Sequence, residues 1–174
     1  MKKPVFLDRD GVINRKLDND YVKSWSDFEF LPGVFEALQI LNNSGYSLIL
    51  VSNQAGVAKG LMSSTDLRSI DTQMKQALIE HDVYLLNSYY CRHRDEDGCL
   101  CRKPQAGLFF QACDDYDLDF HDAWIVGDSE RDIQAGHEAG CRGILLTPSP
   151  VKTSAEYSVM SLLEATQLIV KLIS

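Results

Sequence analysis

Asp8 and Asp10 stand one residue apart at the end of a short apolar run, in KPVFLDRDGVIN. Carboxylates so close repel each other unless a cation or a shared proton offsets the charge. An isolated D-x-D-G could simply cap a strand and open a turn, but three later stretches give it chemical company. SLILV runs into Ser52, Asn53 and Gln54, and WIV runs into Gly127-Asp128, with Asp132 four residues further on. Between them, Arg102 and Lys103 come just ahead of Pro104. Several carboxylates in one crevice require positive charge. A divalent cation held by oxygen ligands, faced by a lysine, meets that need. Mg²⁺ fits best, because one or two carboxylates, several waters and phosphate oxygens satisfy its octahedral preference. Taken singly, Asp128 and Asp132 could be acids favoured at a helix N-terminus, and Arg102-Lys103 a solvated basic pair. If Pro104 starts a helix, however, a phosphate beside Lys103 would also meet free backbone N–H groups.

A second constellation lies at 91–101. Cys91-Arg92-His93 and Cys99-Leu100-Cys101 give C-x-H and C-x-C with five residues between them. Three thiolates and one imidazole form a closed tetrahedral zinc set, typical of structural sites. The intervening RDEDG is too polar to pack as core, so a metal is the natural means of ordering it. Such a knot would fix Arg102 and Lys103, which follow directly.

These residues need a scaffold that brings distant segments together. Val5–Leu7, Ser47–Val51, Trp124–Val126 and Gly143–Leu146 read as short apolar strands, and Asn87–Tyr90 as a weak strand leading into the cysteine cluster. Helical patterns lie between them. One follows Pro32-Gly33 with Val34, Leu38 and Leu41 inward; another opens at Ser63/Asp66 with capping-box spacing and buries Leu67, Ile70, Met74 and Leu78. A third is expected from Pro104, with Phe109, Cys113 and Tyr116 as its stripe. A short one carries Ile133 and Ala135, and a last one from Ser161/Glu164 turns Leu162, Ala165, Ile169 and Leu172 inward. Strands buried on both faces and alternating with helices mean a doubly wound, mainly parallel α/β sheet in a three-layer sandwich. In that architecture the crevice lies beyond the carboxyl ends of the strands, where Asp8 and Asp10, Ser52 and Asn53, and Asp128 fall.

The chain has 174 residues, 45% of them hydrophobic, and is read as a single domain spanning 1–174. Its net charge of −8 leaves no electrostatic footprint for nucleic acid or an anionic membrane. Neither a signal peptide nor a membrane span is visible, so a cytoplasmic location is expected. Five cysteines, three of them clustered with His93, argue against a disulfide framework; Cys113 and Cys141 read as small core residues.

D-x-D-G, Ser52, Lys103 and Asp128 with Asp132, in this order, resemble the four motifs of the haloacid dehalogenase (HAD) superfamily of phosphotransferases. With the cysteine cluster, DYVKSWSDFEFLPGV, SNQAGVAKG, CRKPQAG and GDSERDIQAG, the resemblance narrows to its zinc-containing phosphatases. These are the D-glycero-D-manno-heptose 1,7-bisphosphate and histidinol-phosphate phosphatases, the former nearer over about residues 5–147. The resemblance implies strand order 3-2-1-4-5, no large cap domain, a zinc-binding loop, and both Mg²⁺ and Zn²⁺. It makes Asp8 the nucleophile and Asp10 the acid–base. Ser52 and Lys103 would hold phosphoryl oxygens, and Asp8, the Asp10 carbonyl and Asp128 would ligate Mg²⁺ with Asp132 in support. Asp18 to Tyr21, Asn53, Gln54 and Arg102 become sugar-side contacts, and Lys59 could face a second phosphate. The expected partner is a phosphorylated sugar bound by a monomer. Histidinol phosphate is the alternative substrate. A DNA 3′-phosphatase is disfavoured by the acidic balance, and a zinc-stabilised binding module by the intact acidic set.

Overall fold

The structure, a computed structural model, describes residues 1–172. Its centre is one parallel sheet in the order β3-β2-β1-β4-β5-β6. The strands are β1 (Lys3–Leu7), β2 (Tyr46–Asn53), β3 (Leu85–Cys91), β4 (Trp124–Gly127), β5 (Arg142–Leu146) and β6 (Tyr157–Val159). The first five follow the expected order. The sixth, three residues long and mostly exposed, extends the edge beyond β5 and has no apolar run to announce it.

Each strand side chain points to the face opposite its neighbour's, which explains why Val5, Phe6 and Leu7 are all apolar. Val5 and Leu7 enter one core with Leu48, Leu50, Trp124, Val126 and Ile144; Phe6 enters the other with Ile49, Val51 and Ile125. The first core is closed by α1 (Val34–Asn43), α5 (Leu162–Lys171) and the inward residues Met74 and Leu78 of α2 (Ser64–Ile79). The second is closed by α3 (Gly107–Asp115) and α4 (Glu130–Ala139). Helices on both faces of the sheet make the three layers, and right-handed crossovers carry the chain between them.

Local chemistry sets the helix boundaries. The Ser63 hydroxyl accepts from the Asp66 N–H, and the Asp66 carboxylate accepts from the Ser63 N–H, forming the expected capping box. Ser161 caps α5 through the Glu164 N–H, whereas the Glu164 carboxylate accepts from Met160 N–H instead of closing a box. Leu172 falls beyond α5 and is exposed rather than inward. Pro104 does not start a helix either. The Arg102–Gln105 segment forms a turn, and α3 begins only at Gly107, burying Leu108, Phe109 and Ala112. Cys113 is only half-buried, while Cys141 is buried.

No cap domain is inserted. The crevice at the strand ends is bordered by the β1–α1 loop, the end of β2, Arg102 and Lys103 after the cysteine-bearing segment, and the start of α4 with the residues before it. The first loop is anchored by aromatic packing, with Trp25 stacked on Phe28 at 4.8 Å and Phe30 against Phe35 at 4.6 Å between ring centres.

Candidate active site

The ends of β1 and β4 are neighbours in the sheet, so Asp8 and Asp128 emerge side by side. The peptide immediately after Asp10 makes this possible. Gly11 has φ +87°, and a Cβ there would collide with the Asp128 carboxylate. Gly127 plays the same part for Asp132, whose side chain fills the space a Cβ would occupy. One oxygen from each of Asp8, Asp128 and Asp132 lies within 4.8 Å of the others. The pocket they share has a volume of about 260 Å³ and is also lined by Asp10, Lys16, Asp20, Tyr21, Asn53, Arg102, Lys103 and Arg131.

Lys103 is buried at the floor. Its ammonium lies 2.9 Å from Asp8 Oδ1 and 2.6 Å from Asp132 Oδ1, and it donates to the Val51 carbonyl at 2.7 Å. Burial disfavours its charge, but Asp132 and Asp8 outweigh burial and raise its pKa. Asp132 has a double task. Its second oxygen accepts from Ser129 N–H and Oγ at 3.0 and 2.8 Å, which caps α4, while the first grips Lys103. The reading of Asp132 as a helix-capping acid and the reading as a site acid are therefore both met. Asn53 exchanges two 3.0 Å hydrogen bonds with the backbone of Lys103, tying the turn to the end of β2.

The acids are crowded. Burial, reinforced by Asp132, Asp128 and Asp10 and opposed by Lys103, pushes the Asp8 carboxyl up to about 7. Asp128 is also raised by burial, against the pull of Lys16, whose ammonium stands 2.6 Å away. Carboxylates that resist ionisation beside one another are a donor set short of positive charge. All three offer hard oxygens, so the group fits Mg²⁺.

Asp10 lines the same pocket but has its own partners. Its Oδ1 accepts from Asn14 at 2.9 Å and its Oδ2 from Gln54 at 2.6 Å, with the buried Arg9 guanidinium at 3.2 Å. Gln54 is fully buried; it holds Asp10 and donates to Ser52 Oγ at 3.1 Å. Ser52 is buried beneath the pocket and does not line it. Asp18 is exposed and outside the lining, which takes Asp20 and Tyr21 instead. Lys59 is not in the lining; it donates to the Tyr21 hydroxyl at 3.0 Å. Sequence reasoning missed Arg9, Asn14, Lys16 and Arg131. Arg9 carried a signal, a cation between two aspartates at a strand end. The other three depend on loop paths that no periodicity reports.

The cysteine cluster forms as expected. Cys101 Sγ is 3.3 Å from Cys91 Sγ, 3.5 Å from Cys99 Sγ and 3.2 Å from His93 Nδ1. These separations are too long for any disulfide and suit four ligands around one ion, with Zn–S near 2.3 Å and Zn–N near 2.0 Å. Without a cation the thiols oppose one another: burial and its two neighbours push Cys91 up to about 12. A soft dication resolves that conflict, so the donors fit zinc. The loop grips the pocket, since Asp95 accepts from Arg102 Nε at 2.5 Å and Arg131 Nη1 at 2.8 Å.

Comparison with known proteins agrees with this geometry. A HAD-hydrolase-like family model matches residues 100–156. The D-glycero-β-D-manno-heptose-1,7-bisphosphate 7-phosphatase of Helicobacter pylori J99 is 37% identical over 153 residues, 87% of each chain. That of Pasteurella multocida is 37% identical over 97% of each. A Campylobacter jejuni relative, 38% identical over 83% of this chain and 81% of its own, is named for the α-configured bisphosphate. The crystal structure of the D,D-heptose 1,7-bisphosphate phosphatase of B. bronchiseptica, complexed with magnesium and phosphate, superposes with a TM-score of 0.87. It is 31% identical, covering 98% of this chain and 99% of that one. By its motifs, its sheet and its similarity along nearly its whole length, the chain belongs to the heptose-1,7-bisphosphate phosphatase family of HAD-like phosphoric monoester hydrolases.

Proposed function

We propose that this chain removes the 7-phosphate of D-glycero-D-manno-heptose 1,7-bisphosphate through an aspartyl-phosphate on Asp8. The observation that carries the chemistry is the convergence of Asp8, Asp128, Asp132 and buried Lys103 on one pocket; the substrate follows from the relatives. Asp8 attacks phosphorus, its oxygen forming a P–O bond as the bond to the sugar O7 breaks. Asp10 gives its proton to the departing O7. It then takes a proton from the water that attacks phosphorus, releasing phosphate and regenerating Asp8. Lys103 sits where it can follow charge on the transferring phosphoryl oxygens, and Asp132 holds Lys103 in place. Asp8, Asp128 and the Asp10 carbonyl would hold Mg²⁺, which when bound supplies charge neutralisation between the carboxylates and the phosphoryl group. Ser52, at the end of β2 and accepting from Gln54, would hold a phosphoryl oxygen with Lys103.

A cytoplasmic monomer belongs to the same reading. The five cysteines are free, as suits a reducing compartment, and one chain builds the whole pocket. The test is phosphate release with Mg²⁺ from both anomers of the heptose bisphosphate and from histidinol phosphate. Turnover of a bisphosphate far faster than histidinol phosphate is expected, and Asp8→Asn should lose it while keeping its circular dichroism. The reverse ranking rejects the substrate, and an active Asp8→Asn rejects the nucleophile.

A further inference from the structure

Two ammoniums face the acidic trio, and they are held in different ways. Lys103 is buried and fixed by Asp8, Asp132 and the Val51 carbonyl. Lys16 reaches in from the β1–α1 loop with its side chain 57% exposed, against 14% for Asp128. Asp128 Oδ2, 2.6 Å away, is the one hydrogen-bond partner of its ammonium among the described residues. Burial lowers the Lys16 pKa, but Asp128, then Asp8 and Asp132, outweigh it and raise it, so the ammonium feels all three carboxylates. The backbone on either side is anchored. Arg15 N–H donates to the Glu29 carbonyl at 2.8 Å, and Leu17 packs against Val22, Met62, Leu67 and Ile70. The flexible four-carbon stem of Lys16 is therefore the part of this arrangement that can swing.

We propose that Lys16 is a tethered competitor for the divalent cation, pairing with Asp128 until the ion displaces it, and so sets the affinity of the site for Mg²⁺. This rests on the acidic trio as the Mg²⁺ site, not on the identity of the sugar. Mg²⁺ takes carboxylate oxygens at about 2.0–2.1 Å. An ion on the oxygen that Lys16 holds would stand less than about 5 Å from the ammonium, and the two like charges repel. A half-exposed ion pair contributes little by itself, so it yields to the ion rather than blocking it. While it lasts, the pair spares Asp128 from facing Asp8 and Asp132 without a cation of its own.

The test is calorimetric titration of MgCl₂ into the zinc-loaded protein at one fixed pH, in wild type, Lys16→Met, Lys16→Arg and Lys23→Met. Lys16→Met should tighten Kd for Mg²⁺ by about three- to tenfold, the scale of a half-exposed ion pair. Its Tm should also rise more on addition of MgCl₂ than that of wild type. Lys16→Arg, which keeps the charge, should stay near wild type. Lys23→Met removes a lysine of the same loop that pairs with Asp20 instead, and should leave Kd unmoved. A Kd unchanged or weakened in Lys16→Met, or tightened equally by Lys23→Met, overturns the proposal. If the wild type takes up no Mg²⁺, the metal reading itself fails, and the proposal falls with it.

Discussion

At the scale of single residues, the division of labour between Asp8 and Asp10 comes from what each one touches. Asp8 lies in the acidic trio with Lys103, whereas Asp10 is held by Gln54, Asn14 and Arg9. A general acid–base must be aimed as well as present, and such groups contribute about 10²–10⁴-fold. Gln54→Leu keeps the volume of a fully buried side chain but removes the 2.6 Å donor to Asp10. It should lower kcat by about ten- to a hundredfold, a share of that acid–base contribution, with KM for the bisphosphate little changed. Steady-state kinetics checks this; a rise in KM at unchanged kcat would return Gln54 to a substrate-binding role. Asp8, Asp10 and Asp128 were legible from residue type and strand-end position, and Lys103 from the positive charge that such a crevice requires. The task of Gln54 was not. Its amide could have pointed up into the pocket or down onto Asp10, and only the packing around the end of β2 decides which.

At the scale of elements, capping chemistry and 3.6-residue periodicity made α1, α2, α4 and α5 readable, because each buries one stripe and announces its start. The start of α3 was misread. Pro104 suits a helix's first position in general, but here the Lys103 backbone is tied to Asn53, so the chain must turn before a helix can begin. The cysteine segment was readable from ligand types alone, yet its bond to the arginines through Asp95 was not, since nothing in RDEDG marks one acid above the others. A prediction follows for this element. Cys99→Ser or Cys101→Ser leaves three donors, and zinc content by elemental analysis should fall from about one per chain toward none. The loop then loses what orders it, Asp95 releases Arg102 and Arg131, and KM for the bisphosphate should rise more than kcat falls. Normal zinc content and normal KM in both variants would separate the cluster from the pocket.

At the scale of the whole molecule, the doubly wound sheet gathers acids that are far apart in sequence onto one buried site, and that concentration has a stability cost tied to pH. The parallel sheet was legible because strands buried on both faces alternate with helices, and its order β3-β2-β1-β4-β5 through the resemblance that the motifs carry; the charge balance at the strand ends was not, because it depends on burial. Asp8 is pushed up to about 7, by burial first and then by the neighbouring carboxylates, and Asp128 is raised as well. An unfolded aspartate titrates near 3.9. Between those two values these acids keep in the folded chain a proton that the unfolded chain has lost, so their contribution to stability is fully present below the unfolded value and is lost as pH rises toward about 7. Mg²⁺ competes with those protons, because it binds the ionised carboxylates only. Its stabilising effect should therefore be small near about pH 5 and grow through the same window. At a hundredfold excess over Kd the gain is about 2.7 kcal/mol. For a chain of this size that corresponds to a Tm rise of about 5–10 °C at pH 8. Thermal unfolding at both pH values, with and without MgCl₂ and with zinc retained, measures it. An equal Mg²⁺ shift at the two pH values would mean that the ion binds groups other than Asp8 and Asp128.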